Sequence, residues 1–461
     1  MVYRFFTAAD ARTIPIIPIE TAVFSAWLKK QPAAMRTWVD SAGFMAKPGS
    51  ISLVAGSDGA LATILLGVDD HQGFWSYAGL PNSLPTGRYR IDAELEKKGA
   101  TNAAVGWALG CYQFNRYKSG KSQTTLPGLV WPRNCDRAAV KRTADATILV
   151  RDLINIPAED MGPAELAAEA RRLARTHKAQ AKVIVGDALL KQNYPTIHAV
   201  GRASEREPRL IDLTWGRRDA PKVTLVGKGV CFDTGGLDLK AASGMLRMKK
   251  DMGGAANVLG LAHMIMDAGL DVRLRVLIAA VENSVAGNAY RPSDVIKTRK
   301  GITVENANTD AEGRLIMGDC LAEACREKPE MLLDFATLTG AARVAVGTGL
   351  AAVFANDDKL YADLEKQGAA TSDPMWRLPL HKPYRKLLDS KVADISSASD
   401  GPFGGAITAA LFLQEFVDDD VPWAHFDIMA WNTGNLPGRP TGGEAQGLRA
   451  AFGAIKARFG A

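Results

Sequence analysis

The sequence predicts an α/β fold. A larger C-terminal domain would carry a mixed, largely parallel sheet flanked by helices, with a smaller N-terminal α/β domain before it. Three observations predict this. The chain has 461 residues, more than one typical domain holds. A Pro- and Arg-rich stretch, LPGLVWPRNCDRAAVKR, spans 126–142 and reads as a boundary. Beyond Pro163, strand-like and helix-like patterns alternate, as a parallel sheet covered on both faces requires.

In chain order, 1–140 forms the small domain. Short apolar runs at 51–54 and 61–66 read as strands and 102–117 as a helix; no motif there carries recognisable chemistry. A helix is expected at 144–155, ending before Pro157, and another at 165–176. KVTLVGKGV at 222–230 is a buried strand, followed by a helix at 253–268. VRLRVLIAAVE at 272–282 is a strand, 313–326 a helix, and MLLDFATL at 331–338 a strand. Ligands in such sheets bind outside the carboxyl ends of strands.

Composition narrows the function. Lys+Arg 56 against Asp+Glu 50 leaves +6, too thin an excess for a nucleic-acid signature. No stretch of 18 apolar residues offers a membrane span, and the N-terminus lacks an apolar signal-peptide core. The five cysteines form no CxxC pair, which fits free thiols in a reducing cytoplasm. HExxH, GxSxG and a P-loop are all missing.

What remains is a set of acids and lysines at predicted strand ends. The segment VGKGVCFDTGGLDLKAASGMLRMKKDMGG (226–254) supplies Lys228, Asp233, Lys240 and Asp251. The octapeptide NTDAEGRL (308–315) supplies Asp310, Glu312 and Arg314. Singly, each has a bland reading. Thr309 and Glu312 fit a helix capping box, and Asp251 fits a helix N-terminus. Together, four carboxylates converge at junctions of one sheet. Desolvated acids repel unless neutralised, and two divalent cations would balance four negative charges. Carboxylates suit Zn²⁺ and harder ions, and a bridging acid such as Asp233 would hold a pair roughly 3.5–4 Å apart.

These motifs resemble the leucyl (cytosol) aminopeptidase family, the hexameric dinuclear-metal M17 peptidases. NTDAEGRL matches that family's octapeptide throughout, and VGKGxxFD[ST]GG…K…DMGG matches in spacing. The resemblance extends through Asn155-Ile-Pro157, Asp160-Met-Gly-Pro163, Thr337-Leu-Thr-Gly-Ala341 and Gly405-Ala-Ile-Thr-Ala-Ala410, covering roughly 145–461. It implies a dinuclear-metal aminopeptidase domain at 141–461, with Zn²⁺ or Mn²⁺ as the two ions. Asp233 and Glu312 would bridge, Lys228 and Asp251 would complete one metal site, and Asp310 the other. Lys240 would be the catalytic electrophile. Arg314 would be the catalytic arginine, holding a bicarbonate ion. To ligate a metal, Lys228 must lose its proton, so its pKa must fall far from about 10.4 through burial and adjacent cations.

The resemblance also implies peptide substrates, a homohexamer built as a dimer of trimers, and a cytoplasmic protein. Met248, Thr337, Gly340, Met429 and Asn432 would line the side-chain pocket. Met429 and Asn432 replace Ala and Met of the leucine-preferring members, and Ala241 replaces a usual Pro. A leucine preference is therefore not expected to carry over. The competing readings are a DNA-binding regulator, which needs a basic strip and a steep salt dependence, a metal-free relative, and a Cys-Gly dipeptidase.

Overall fold

The computed structural model describes residues 2–119 and 125–460. The chain divides into two compact units. One comprises Met1–Ile148 with Gly434–Thr441, the other Leu149–Thr433 with Gly442–Ala461.

The first unit contains β1 (Phe6–Thr7), β2 (Ile14–Glu20), β3 (Ile51–Ala55), β4 (Leu61–Val68), β5 (Arg88–Ile91) and β6 (Gly128–Val130). They form one sheet in the order β1-β6-β5-β2-β4-β3. Every pairing is parallel except the β3–β4 hairpin, whose strands cover the two apolar runs. The helix expected at 102–117 lies instead at Lys97–Gly110. At its end Asn82 Nδ2 donates to the Gly110 carbonyl oxygen at 2.9 Å, satisfying one of the carbonyls the helix leaves open. Trp107, Ile16, Ile64 and Tyr89 lie in its core.

The second unit holds β7 (Gln180–Val185), β8 (Arg209–Trp215), β9 (Lys222–Asp233), β10 (Arg273–Asn283), β11 (Val295–Lys297), β12 (Thr303–Glu305), β13 (Met331–Ala336), β14 (Ala351–Ala355), β15 (Met375–Arg377), β16 (Ile395–Ser396), β17 (Trp423–Asp427), β18 (Trp431–Asn432) and β19 (Gly442–Gly443). Eight of them make the main sheet, in the order β15-β14-β17-β13-β9-β10-β8-β7. Its centre, β17-β13-β9-β10, is parallel; β8, β7 and the β14–β17 pairing are antiparallel. A mixed, largely parallel sheet is thus observed. β9 is buried along most of its length, in keeping with its mostly apolar sequence.

Helices Gly253–Ala268 and Glu312–Cys325 pack against β9. The second comes very close. A Cβ placed on Gly313 would stand 2.7 Å from Lys228 Cε, so only glycine lets the lysine lie along this helix start. The parallel register then sets the site. Asp233 pairs with Asn283 at the carboxyl ends of β9 and β10, and Thr337 follows β13 beside them.

Candidate metal centre

Lys228, 2% exposed, rises from β9 into a ring of acceptors. Its Nζ lies 2.8 Å from Asp251 Oδ2 and 2.8 Å from Glu312 Oε1, and donates to the Thr337 carbonyl oxygen at 3.1 Å. Asp233 ends the same strand. Its Oδ1 accepts from Gly235 N at 2.8 Å and from Asn283 Nδ2 at 2.9 Å, while Oδ2 faces Lys240 Nζ at 2.9 Å. Lys240 also donates to Asp310 Oδ1. Asp251 closes the turn Met248–Lys250, and its Oδ1 accepts from the Thr337 hydroxyl at 2.7 Å. One carboxylate oxygen each of Asp233, Asp310 and Glu312 lie within 4.8 Å of one another. Arg314, in the first turn of the Glu312–Cys325 helix, is buried. Its Nη1 donates to the Ser397 carbonyl oxygen at 2.6 Å, and its Nε has no hydrogen-bond partner among the described residues.

The octapeptide is held differently from the capping box its spacing suggests. Asn308 is the cap: its Oδ1 accepts from Asp310 N at 2.8 Å. The Thr309 hydroxyl donates to the Gly235 carbonyl oxygen at 2.6 Å and accepts from Asp238 N at 2.8 Å. Asn283 Nδ2 and the Tyr290 hydroxyl both donate to the Thr309 carbonyl oxygen, at 3.0 and 2.6 Å. Thr309 therefore ties the octapeptide to the glycine-rich loop. That loop turns through Gly235 and Gly236, at φ +90° and +66°. A short polar side chain takes whichever partner the tertiary fold offers, and spacing alone does not choose. Sequence reasoning missed Asn283, Tyr290 and Asp238. Only the pairing of β9 with β10 marks Asn283 as the partner of Asp233.

Protonation follows burial and repulsion. Burial, then the neighbouring Asp233, push Glu312 up to about 8 and Asp310 up to about 6. Burial also raises Asp251, but Lys228 and Lys250 outweigh it and hold that carboxyl below its usual range. Burial lowers Lys228, yet Asp251, Glu312 and Asp233 outweigh it and hold the ammonium above an ordinary lysine. The neutral Lys228 expected from sequence is therefore not a property of the protein groups alone. Without added positive charge, these three acids keep the proton on it. Burial brings Arg314 down to about 10.

These residues fit a pair of divalent ions. Asp251 Oδ2 and Glu312 Oε1 both lie 2.8 Å from Lys228 Nζ. Two carboxylate oxygens and a lysine nitrogen gathered at one buried point are a donor set that a divalent ion can take once the lysine is neutral. The Asp233–Asp310–Glu312 cluster beside it supplies a second oxygen set.

Two sequence profiles match the chain: the cytosol aminopeptidase family catalytic domain over 148–451, and the M17 aminopeptidase N-terminal domain over 14–132. The chain belongs to the cytosol aminopeptidase family. It is accordingly a metal-dependent exopeptidase of the aminopeptidase type. A probable cytosol aminopeptidase of Rhizobium meliloti (strain 1021) is 39% identical over 375 residues, 78% of this chain and 74% of the relative. The crystal structure of cytosol aminopeptidase from Coxiella burnetii is 49% identical, with TM-score 0.94 over 99% of each chain. The bottromycin maturation enzyme BotP in complex with Mn is 33% identical, with TM-score 0.87 over 97% of this chain and 100% of that one.

The five residues expected to line an aminopeptidase side-chain pocket are placed as follows. Met248 and Met429 are buried. Thr337 reaches Asp251, so it also orients one of the acids. Gly340 opens the helix Gly340–Val346. Asn432 Nδ2 donates to Glu444 Oε2 at 2.7 Å, and Arg151 pairs with that same carboxylate at 2.9 Å. Ala430, at φ +53°, packs against Gly253 close to Thr337, which brings the loop carrying Met429 to the start of the helix after Asp251. No helix among the described residues is long and apolar enough to cross a membrane.

Proposed function

We propose that this chain hydrolyses the N-terminal peptide bond of peptides at a dinuclear centre of Zn²⁺ or Mn²⁺. Asp233 and Glu312 would be shared by the two ions, with Lys228 and Asp251 completing one site and Asp310 the other. The convergence of Lys228 Nζ, Asp251 Oδ2 and Glu312 Oε1 at 2.8 Å, beside the Asp233–Asp310–Glu312 cluster, carries this reading. The manganese complex of the related BotP structure supports Mn²⁺.

When bound, the ions supply an acidified water and polarise the scissile carbonyl. The protein groups do the rest. Lys228 must be neutral to serve as a ligand, which the ions' charge favours over the acids' pull. Lys240, next to Asp233 and Asp310, donates to the carbonyl oxygen as it gains negative charge. Arg314, with a buried unpartnered Nε, holds the bicarbonate that assists proton transfer. Met248, Thr337, Gly340, Met429 and Asn432 receive the side chain of the N-terminal residue. The active assembly is a homohexamer in the cytoplasm.

Chelated protein, reloaded with each metal and offered a panel of aminoacyl substrates, tests the reading. Release of N-terminal residues should vanish on chelation and return with Zn²⁺ or Mn²⁺. Release that survives chelation, or that no metal restores, rules it out. Retained activity in Arg314→Ala, or after rigorous bicarbonate removal, removes the bicarbonate role alone. Light scattering measures the assembly.

A further inference from the structure

The segment after β17 carries two residues of the proposed side-chain pocket, Met429 and Asn432, and it lies against the metal centre. Ala430 packs directly on Gly253, two residues past Asp251. The Lys249 ammonium lies 5.7 Å from the centre of the Trp431 ring, on the turn that also holds Met248. The segment is thus held on both sides of Asp251.

A buried ion pair then sets the Asn432 side chain. β18, which ends at Asn432, pairs with β19, and Glu444 follows β19 directly. β19 presses on the end of the helix Arg137–Asn155. A Cβ on Gly443 would stand 2.7 Å from Ile154 Cβ, and Gly443 N donates to Asn155 Oδ1 at 2.8 Å. That close approach brings Glu444 onto Arg151, and both are buried. Arg151 Nε donates to Glu444 Oε1 at 3.2 Å and its Nη2 to Oε2 at 2.9 Å, a two-point grip. Ala445 N donates to Oε1 at 2.9 Å, and Asn432 Nδ2 donates to Oε2 at 2.7 Å. A carboxylate only accepts, so Asn432 must turn its amide nitrogen toward Glu444. The reversed amide would press a carbonyl oxygen against a buried carboxylate.

We propose that Glu444, gripped by Arg151, is a positioning residue that locks the Asn432 amide and so shifts the enzyme's preference toward polar N-terminal residues. This rests on the aminopeptidase reading, with Asn432 in the pocket. A locked amide cannot turn aside for an apolar group. An apolar side chain therefore strips water from it and returns no hydrogen bond, whereas a polar side chain of the same shape returns one.

The experiment compares kcat and KM for Asn, Leu, Thr and Val aminoacyl substrates. Asn with Leu, and Thr with Val, are matched in shape and differ in polarity. The proteins are metal-loaded wild type, Asn432→Ala, Glu444→Gln and the double variant. The Asn-to-Leu and Thr-to-Val ratios of kcat/KM should each fall about tenfold in Asn432→Ala. Glu444→Gln should give a similar fall, carried by KM of the polar substrates, with bound metal unchanged. In the double variant the ratios should match those of Asn432→Ala alone, because Glu444 acts through Asn432. Arg151→Lys keeps the charge and loosens the grip. It should give a smaller fall, and it carries the test if Glu444→Gln does not fold. Ratios that Asn432→Ala leaves unchanged overturn the inference. So does a fall in Glu444→Gln that recurs in full in the Asn432→Ala background, which marks a purely structural role. Either result, with release of N-terminal residues intact, sinks this inference alone. Release from no substrate sinks the aminopeptidase reading and takes this one with it.

Discussion

Each unit gathers potential metal ligands at the carboxyl ends of parallel strands, and the two clusters differ in almost everything else. In the first unit, Glu20 ends β2 while Asp70 and His71 follow the adjacent β4. In the second, Asp233 ends β9 and meets Asp310 and Glu312. Both sets bring three ligand atoms within 4.8 Å. The first set is already satisfied by its neighbours. His71 Nδ1 lies 2.6 Å from Glu20 Oε1, its Nε2 meets Gln72 Nε2 at 3.0 Å, and Asp70 Oδ1 accepts from Gln72 N at 2.8 Å. The His71 hydrogen bond holds Glu20 below its usual carboxylate range. Water reaches both, at 37% and 32% side-chain exposure for His71 and Glu20. In the second set, Asp233 and Glu312 are 2% and 1% exposed, and burial with mutual repulsion pushes Glu312 up. Position at a strand end offers a place for a ligand. Carboxylates crowded together and largely shut off from water favour a cation there.

The comparison can be broken or sharpened at four points. The largest effect belongs to Asp233→Asn and Glu312→Gln. Each should cost more than about a hundredfold in peptide release and deplete bound metal, since even groups behind the ligands cost 10–100-fold. Glu312→Gln should not lower the Tm of chelated protein at pH 8, because it removes a charge that burial and Asp233 disfavour. A clear fall in that Tm would make this acid structural and erase the contrast. Next, Thr337→Val should weaken metal binding by about 10–100-fold, through loss of the hydroxyl that orients Asp251, with excess metal restoring activity.

The third point is pH. Glu312, and more weakly Asp310, have folded pKa values raised above their unfolded ones. Their stabilising protonated forms are fully present below about 4.5 for Glu312 and 3.8 for Asp310, the ordinary values. That contribution is lost as pH rises through about 6 and then about 8. Chelated protein should therefore lose Tm from pH 5 to pH 8, and metal-loaded protein should not. Parallel melting curves for the two forms would contradict this. The smallest effect is Glu20→Gln. A part-exposed pair contributes about 1 kcal/mol or less, so denaturant unfolding should shift slightly and bound metal should stay unchanged. Loss of a bound ion in that variant would put a metal in the first unit too.

Much of the second unit was legible because its central strands are mostly apolar and its chemistry sits in two short segments. β9 and β13 begin where their apolar runs begin, at Lys222 and Met331. The helix after Asp251 spans Gly253–Ala268, the range its sequence pattern predicts. The first unit read less well. Its helix was displaced by several residues, and the donor that meets its last carbonyl comes from Asn82, far away in sequence. Thr309 was misread for a related reason: Gly235 and Asp238 compete for its hydroxyl, and only the fold brings them near.

By itself, the sequence determined the class of sheet and singled out the lysines and acids that the fold brings together, because buried strands and clustered polar residues leave residue types that few other roles demand. The tertiary structure alone decided three things. It put Asn283 and Thr337 behind Asp233 and Asp251, sent Thr309 to the glycine-rich loop, and set Glu444 between Arg151 and Asn432. Those outcomes depend on strand register and on which groups exclude water. Both are set by contacts between segments distant in the chain, which no local pattern encodes.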